Sequence, residues 1–265
     1  MRNRFLSLLL VLCCALLSVP HAFAGRPCET RRPSVASITQ GLQLAERTLA
    51  ALEASGSDVA VLARAGQDLG KYGQRYSHIA FAYRQIDAQG NPVWRVVHKL
   101  NQCGTAEAAL YRQGLGEFFL DDPWRYEAAF VPLQPAVQRR LLPLLQNDRA
   151  LGTLHERHYS MVSYAWGRRY QQSNQWVIET LALGMAGTDT REAAQQWLKA
   201  AGYVPTVLHI DAMTRLGGRL TAANVAFDDH PLGERMADRI RTVTADSVLK
   251  WLERSGLGTE QRVVR

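Results

Sequence analysis

From Pro33 onward the chain alternates between helical and strand-like patterning. Val35, Ile38, Leu42, Ala45, Leu49 and Leu52 recur at spacings of three and four, predicting a helix that Pro33-Ser34 opens and Gly56 closes. Asp58 to Ala65 is an apolar run of strand length. Tyr76 to Ile86 and Val93 to Leu100 flank the turn-rich stretch Asp87-Ala-Gln-Gly90-Asn91-Pro92, which predicts a β-hairpin. Thr105 to Leu115 reads as a helix. A less regular stretch with Asp121-Asp122-Pro123-Trp124 follows, then a leucine-rich helix from Pro135 to Leu145. Asn174 to Met185 is a strong helix with Trp176, Val177, Thr180, Leu181 and Gly184 on one face. Asp189 with Glu192 three residues on suggests a capping box for a helix through Ala201, closed by Gly202. Short strands around Val207 to Ile210 and Ile240 to Thr244 precede a last helix reaching Trp251 and Leu252. Helices gathered around a small antiparallel sheet predict an α+β domain, with no internal repeat or low-complexity tract.

The N-terminus carries a different signal. Arg2 and Arg4 precede the apolar run Phe5 to Leu17, and Ala22-Phe23-Ala24 is a small-x-small cleavage site. The expected product is cleaved after Ala24 and is periplasmic or secreted, without a transmembrane anchor, since no later segment approaches the roughly 20 apolar residues of a membrane helix. Residues 1–24 are thus the signal peptide and 25–265 a single α+β domain, in which 25–57 form the lead-in and N-terminal helix. Loss of Arg2 and Arg4 lowers the formal net charge of +7 by two. The remaining cations are dispersed in pairs such as Arg139-Arg140 and Arg168-Arg169 and mixed with acids. With export, that dispersal argues against nucleic acid as a partner.

Candidate chemistry centres on two histidines and a serine. Trp94, Val96, His98 and Leu100 share one face of the second hairpin strand, and His78 shares a face with Ala80 and Ala82 on the first. Sequence leaves the turn register open, and a slip of one residue would turn one histidine away. Either histidine alone reads as a core histidine satisfied by backbone groups. The pair, together with a later helix start, reads as a base and its orienting group. Ser173, in Tyr170-Gln-Gln-Ser173-Asn174-Gln-Trp-Val, has two readings of its own. It is a helix N-cap, or a nucleophile whose anion is stabilised by the free N–H groups of the first turn. A hydroxyl holds its proton tightly, so the second reading needs a well-aligned base.

Two cysteines, Cys28 and Cys103, outlast the signal. In an oxidising compartment a lone pair reads as a disulfide, closing a loop of about 75 residues and contributing about 4 kcal/mol on the chain-entropy model. The competing reading makes Cys103 a reactive thiol near His98. No metal or cofactor is implied: His155 and His158 have only Glu156 nearby, no glycine-rich phosphate loop is present, and Ser173 lacks the flanking glycines of a G-x-S-x-G elbow.

The runs Ser77-His78, Val97-His98-Lys-Leu-Asn-Gln-Cys103-Gly104, Gly114-Leu-Gly-Glu-Phe-Phe-Leu-Asp-Asp122 and Asn174-Gln-Trp-Val carry a resemblance to a bacterial family of exported proteins of unknown function. It extends over nearly the whole mature chain. More distantly, the order of elements is similar to the circularly permuted papain-like superfamily, which includes cell-wall peptidases, amidases and the lecithin–retinol acyltransferase group. That resemblance implies a permuted papain-like fold, with His78 as general base, His98 as orienting group and Ser173 where relatives carry cysteine. Two functions follow as expectations. One is an amide or ester hydrolase or acyltransferase using Ser173. The other is a catalytically silent relative binding a peptide, amide or ester ligand of the cell envelope in the same cleft.

Overall fold

The computed structural model describes residues 32–121 and 123–265, so the predicted signal peptide and Cys28 lie outside the described residues. Helix α1 (Val35–Glu53) begins where the Ser34 hydroxyl accepts from the Ser37 N–H. Strands β1 (Val59–Ala65), β2 (His78–Ile86), β3 (Pro92–Asn101) and β4 (Ala108–Gln113) follow as a meander. Gly90 makes the β2–β3 turn at φ +84°, a conformation that favours a residue without Cβ. The short helix α2 (Leu115–Phe119) leads into β5 (Arg125–Pro132). Next come helices α3 (Pro135–Leu145), α4 (Asp148–Leu151), α5 (Ser173–Ala186) and α6 (Arg191–Ala200). Strand β6 (Thr206–His209), helices α7 (Ala212–Thr221) and α8 (Leu232–Met236) and strand β7 (Arg239–Thr242) form a small unit before α9 (Ala245–Arg254) and β8 (Arg262–Val264).

The fold is α+β. One six-stranded sheet runs β4-β3-β2-β1-β5-β8 with every pair antiparallel, and β6-β7 make a separate ribbon. Because side chains alternate across a strand, the sheet feeds two cores. Val59, Val61, Ile79, Phe81, Tyr83 and Val97 pack beneath α3, α5 and α9. Ala60, Leu62, Ala80, Ala82, Val96 and Phe130 pack beneath α1 and α2. Helix α5 is buried on all sides over its first ten residues, and its approach to α3 is close: a Cβ on Gly184 would stand 2.5 Å from Leu141 Cδ2.

Four sequence expectations are corrected. Thr105 to Leu115 is largely strand, because Ala108–Gln113 pairs with β3 and edge pairing overrides the helical propensity of its alanines and leucine. The stretch read as irregular after Trp124 contains β5. On α1 the buried stripe is Leu44, Ala45, Thr48 and Leu52, while Val35, Leu42 and Leu49 face outward. The cap of α6 is Thr190, accepting from the Ala193 N–H, in place of the predicted Asp189.

Candidate functional site

A row of polar side chains crosses four adjacent strands on the α1–α2 face of the sheet. Arg64 stands directly opposite His78 in the β1–β2 register, Val96 opposite Gln113 in β3–β4, and His98 shares the face of Val96. The row therefore reads Arg64, His78, His98, Gln113. His78 Nε2 and His98 Nδ1 are 2.9 Å apart, and His98 Nε2 lies 2.8 Å from Gln113 Oε1. With Gln113 accepting through its oxygen, His98 carries its proton on Nε2, and its bare Nδ1 accepts from the Nε2–H of His78. The chain is satisfied with both rings neutral.

The surroundings enforce that state. His78 and His98 are buried, and Phe118 of α2 covers them with ring centroids at 6.0 and 5.4 Å. Burial, followed by the nearby Arg64 cation, pushes His78 well below the ordinary histidine range and His98 down to about 4. Arg64 lies over the Phe118 ring at 4.7 Å, donates to the Phe118 carbonyl oxygen and pairs with the half-exposed Asp121 carboxylate. Beside the row opens a cleft of about 450 Å³ lined by Arg64, His98, Asn101, Gln113, Glu117 and Asp121, with Leu100 and Leu120. It offers one cation, two carboxylates, two amides and two apolar walls.

Ser173 lies elsewhere. Helix α5 packs on the Ile79–Phe81–Tyr83 face, whereas His78 and His98 project from the other. The Ser173 hydrogen-bond partner is Tyr159, a buried phenol whose pKa burial raises. Among the described residues no hydrogen bond joins Ser173 to either histidine. Nor is Ser173 the cap: it is the first helical residue, and Gln172 takes the cap position, accepting from the Asn174 N–H at 3.0 Å. The helix start is nonetheless anchored next to His78. The β2–β3 ladder stops at Phe81 and Val97, and in the opening beyond them Asn174 Oδ1 accepts from the Ile79 N–H at 2.9 Å.

Beneath α5 is a second polar assembly that sequence reasoning missed. The Glu179 carboxylate, fully buried, accepts from Gln171, Gln175, Gln195 and twice from Arg191, at 2.6–3.2 Å. Lys99, fully buried on the face opposite His98, donates to Gln171 Oε1 at 2.9 Å and to the Glu156 carbonyl oxygen. Burial, then the Arg191 charge, lowers its pKa to about 7. His158 is tied by Nδ1 to Glu156 at 2.6 Å. Among the described residues no three His, Cys, Asp or Glu side chains gather as a metal site. Cys103 lies in the turn between β3 and β4. No described helix is long and apolar enough to cross a membrane.

Of the row, sequence reading found the two histidines and missed Arg64 and Gln113. Arg64 did leave a signal, a lone charge at an alternate position of the otherwise apolar Val-Ala-Val-Leu-Ala-Arg-Ala run. Gln113 lay in a segment read as helix. Compared with known proteins, residues 51–252 match the profile of a family described as an uncharacterized protein conserved in bacteria, DUF2145. No curated protein and no solved structure matches the chain.

Proposed function

The chain belongs to the DUF2145 family, and from that premise we propose that it is an exported binding protein, a catalytically silent relative of the permuted papain-like hydrolases. Its ligand is a peptide or amide-bearing fragment of the cell envelope, held in the His98 cleft. The observation that carries this reading is the Arg64–His78–His98–Gln113 row, which ends in a cleft furnished for a polar, zwitterionic guest. Arg64 with Asp121 and Glu117 suits a ligand bearing charges of both signs. The Asn101 and Gln113 amides suit peptide groups, and the leucines suit aliphatic carbon. Neutral histidines fix Gln113 without placing a charge in the cleft. Engagement of Ser173 with Tyr159, on the other face of the sheet, favours binding over turnover.

One observation favours the second reading, an amide or ester hydrolase or acyltransferase with Ser173 as nucleophile, His78 as base and His98 as orienting residue. The start of α5 is fastened to the residue following His78, which keeps the Ser173 helix beside the histidine strand. Titration calorimetry of the mature protein with peptidoglycan fragments, beside a panel of acyl esters, separates the two. Binding without turnover, lost in Gln113→Ala and kept in Ser173→Ala, is the expected result. Turnover that Ser173→Ala abolishes would replace the binding reading with the hydrolase.

A further inference from the structure

Helix α7 is oriented against the usual rule. An amphipathic helix normally turns its apolar stripe to the core, yet the only buried residue of α7 is Gly218. Its stripe points outward: Met213 is 76 %, Leu216 51 % and Leu220 77 % exposed, at spacings of three and four that place them on one side. On α8, Leu232 and Met236, four apart, are 65 % and 77 % exposed. Between the two helices lies a cavity of about 300 Å³ that Leu216, Leu232 and Met236 share with Arg215, Arg219 and Arg235. Three of the five exposed apolar side chains thus line a basic pocket.

The charges around this face are one-sided. Helix α7 contains two arginines and no acid. Of the acids nearby, Asp211 caps the helix by accepting from the Thr214 N–H and hydroxyl, Asp238 pairs with Arg215 at 2.6 Å, and Glu234 with Arg241 at 2.9 Å. Among the described residues Arg219, Arg235 and Arg239 take part in no ion pair, and Arg235 Nε is buried without a hydrogen-bond partner. Outward leucines and methionines rimmed by unneutralised arginines complement an interface that is apolar below and anionic above.

We propose that the α7–α8 face docks the protein on an anionic phospholipid bilayer. The apolar side chains of both helices enter the headgroup region, while Arg219 and Arg235 meet lipid phosphates at the pocket. Docking is peripheral, and the His98 cleft is lined by residues of other elements. Because it rests on a different surface, it stands or falls independently of the binding function.

The test is co-sedimentation of the mature protein with large vesicles of phosphatidylcholine alone and of phosphatidylcholine mixed with phosphatidylglycerol. Binding is expected only to the mixed vesicles and is expected to weaken as salt is raised. Each arginine near an anionic surface contributes roughly fivefold, so Arg219→Ala/Arg235→Ala should weaken partitioning on the order of 25-fold. Leu216→Asp/Leu220→Asp should abolish it. Leu216, Leu220 and Arg219 are exposed and Arg235 is half-buried, and an unchanged melting curve verifies that each variant is folded. Absence of binding to mixed vesicles, equal binding to both vesicle types, or variants that bind like the parent would overturn the proposal. Sedimentation velocity showing a dimer that Leu216→Asp dissociates would also overturn it, by assigning the face to a second copy of the chain.

Discussion

Acid should destabilise this protein through its histidine pair well before its carboxylates titrate. In the folded state burial, with Arg64 alongside, lowers both pKa values, that of His98 from 6.5 to about 4. The unfolded chain binds protons at these rings from about pH 6.5 downward while the native state does not. Stability is therefore present at neutral pH and lost as pH falls from 6.5 toward the folded values. One pH unit corresponds to about 1.4 kcal/mol per group, so His98 alone carries about 3 kcal/mol, of which roughly 2 kcal/mol is gone by pH 5. His78, held well below the ordinary histidine range chiefly by burial, loses stability over the same interval, and the His98 share alone stands against a typical total of about 5–15 kcal/mol. Urea unfolding at pH 7.5 and pH 5 measures the loss. The Glu127 carboxylate, held low first of all by its hydrogen bond from Arg75, adds its own loss only below about pH 4.5, outside that window. His155 and His230 are also lowered, and they remain in the variants. The informative quantity is therefore the change in pH slope. His98→Gln should lose roughly 2 kcal/mol of pH dependence, and His78→Gln/His98→Gln should lose more. A double variant that keeps the parent slope would refute the reasoning.

The Glu179 assembly supports a prediction of larger cost. Glu179→Gln leaves the nearly buried Arg191 cation without its carboxylate and faces an NH2 group toward existing donors. It should cost about 3–5 kcal/mol, or roughly 6–20 °C in Tm by thermal circular dichroism. The double variant Glu179→Gln/Arg191→Met should cost less than the single, because no orphaned charge remains. For the cysteines, alkylation of the unreduced protein should label neither Cys28 nor Cys103, as read by intact mass. Ready labelling of Cys103 would refute the disulfide.

The sequence made the sheet's centre legible because its strands are local. The β2–β3 hairpin, with Gly90 in its turn, and the apolar run of β1 each carry their signal within ten residues or so. Helix α5, predicted over Asn174 to Met185, spans Ser173–Ala186. Less legible was what depends on distant partners. Strand β4 has helix-forming residues and is a strand only because β3 offers an unpaired edge. Helix α1 buries Thr48 and Gly41 and exposes Val35, since Gly41 lies close enough to the Phe119 carbonyl that a Cβ would stand 2.9 Å from its oxygen. At the site, alternation put His78 and His98 on definable faces, and the observed register joins them. Nothing local relates either histidine to Ser173, because which face of a sheet a helix covers is a tertiary decision. Likewise Gln172, with its side chain donating to Thr242 Oγ1 at 3.3 Å and to the Val243 carbonyl, holds the cap position through contacts far along the chain.

The opening between β2 and β3 makes one amide a reporter. Ile79 belongs to a central strand, yet its N–H is held by a side chain of α5 and not by the neighbouring strand. The strands of the meander are contiguous in sequence, whereas α5 arrives well downstream, after β5, α3 and α4. A fluctuation that lifts α5 while leaving the strands paired would expose Ile79 to solvent exchange. The amides of Phe81 and its successors would keep the protection of the intact sheet. Within one strand, adjacent amides would thus belong to different cooperative units, and the ratio of their exchange rates would measure how firmly the helix is seated.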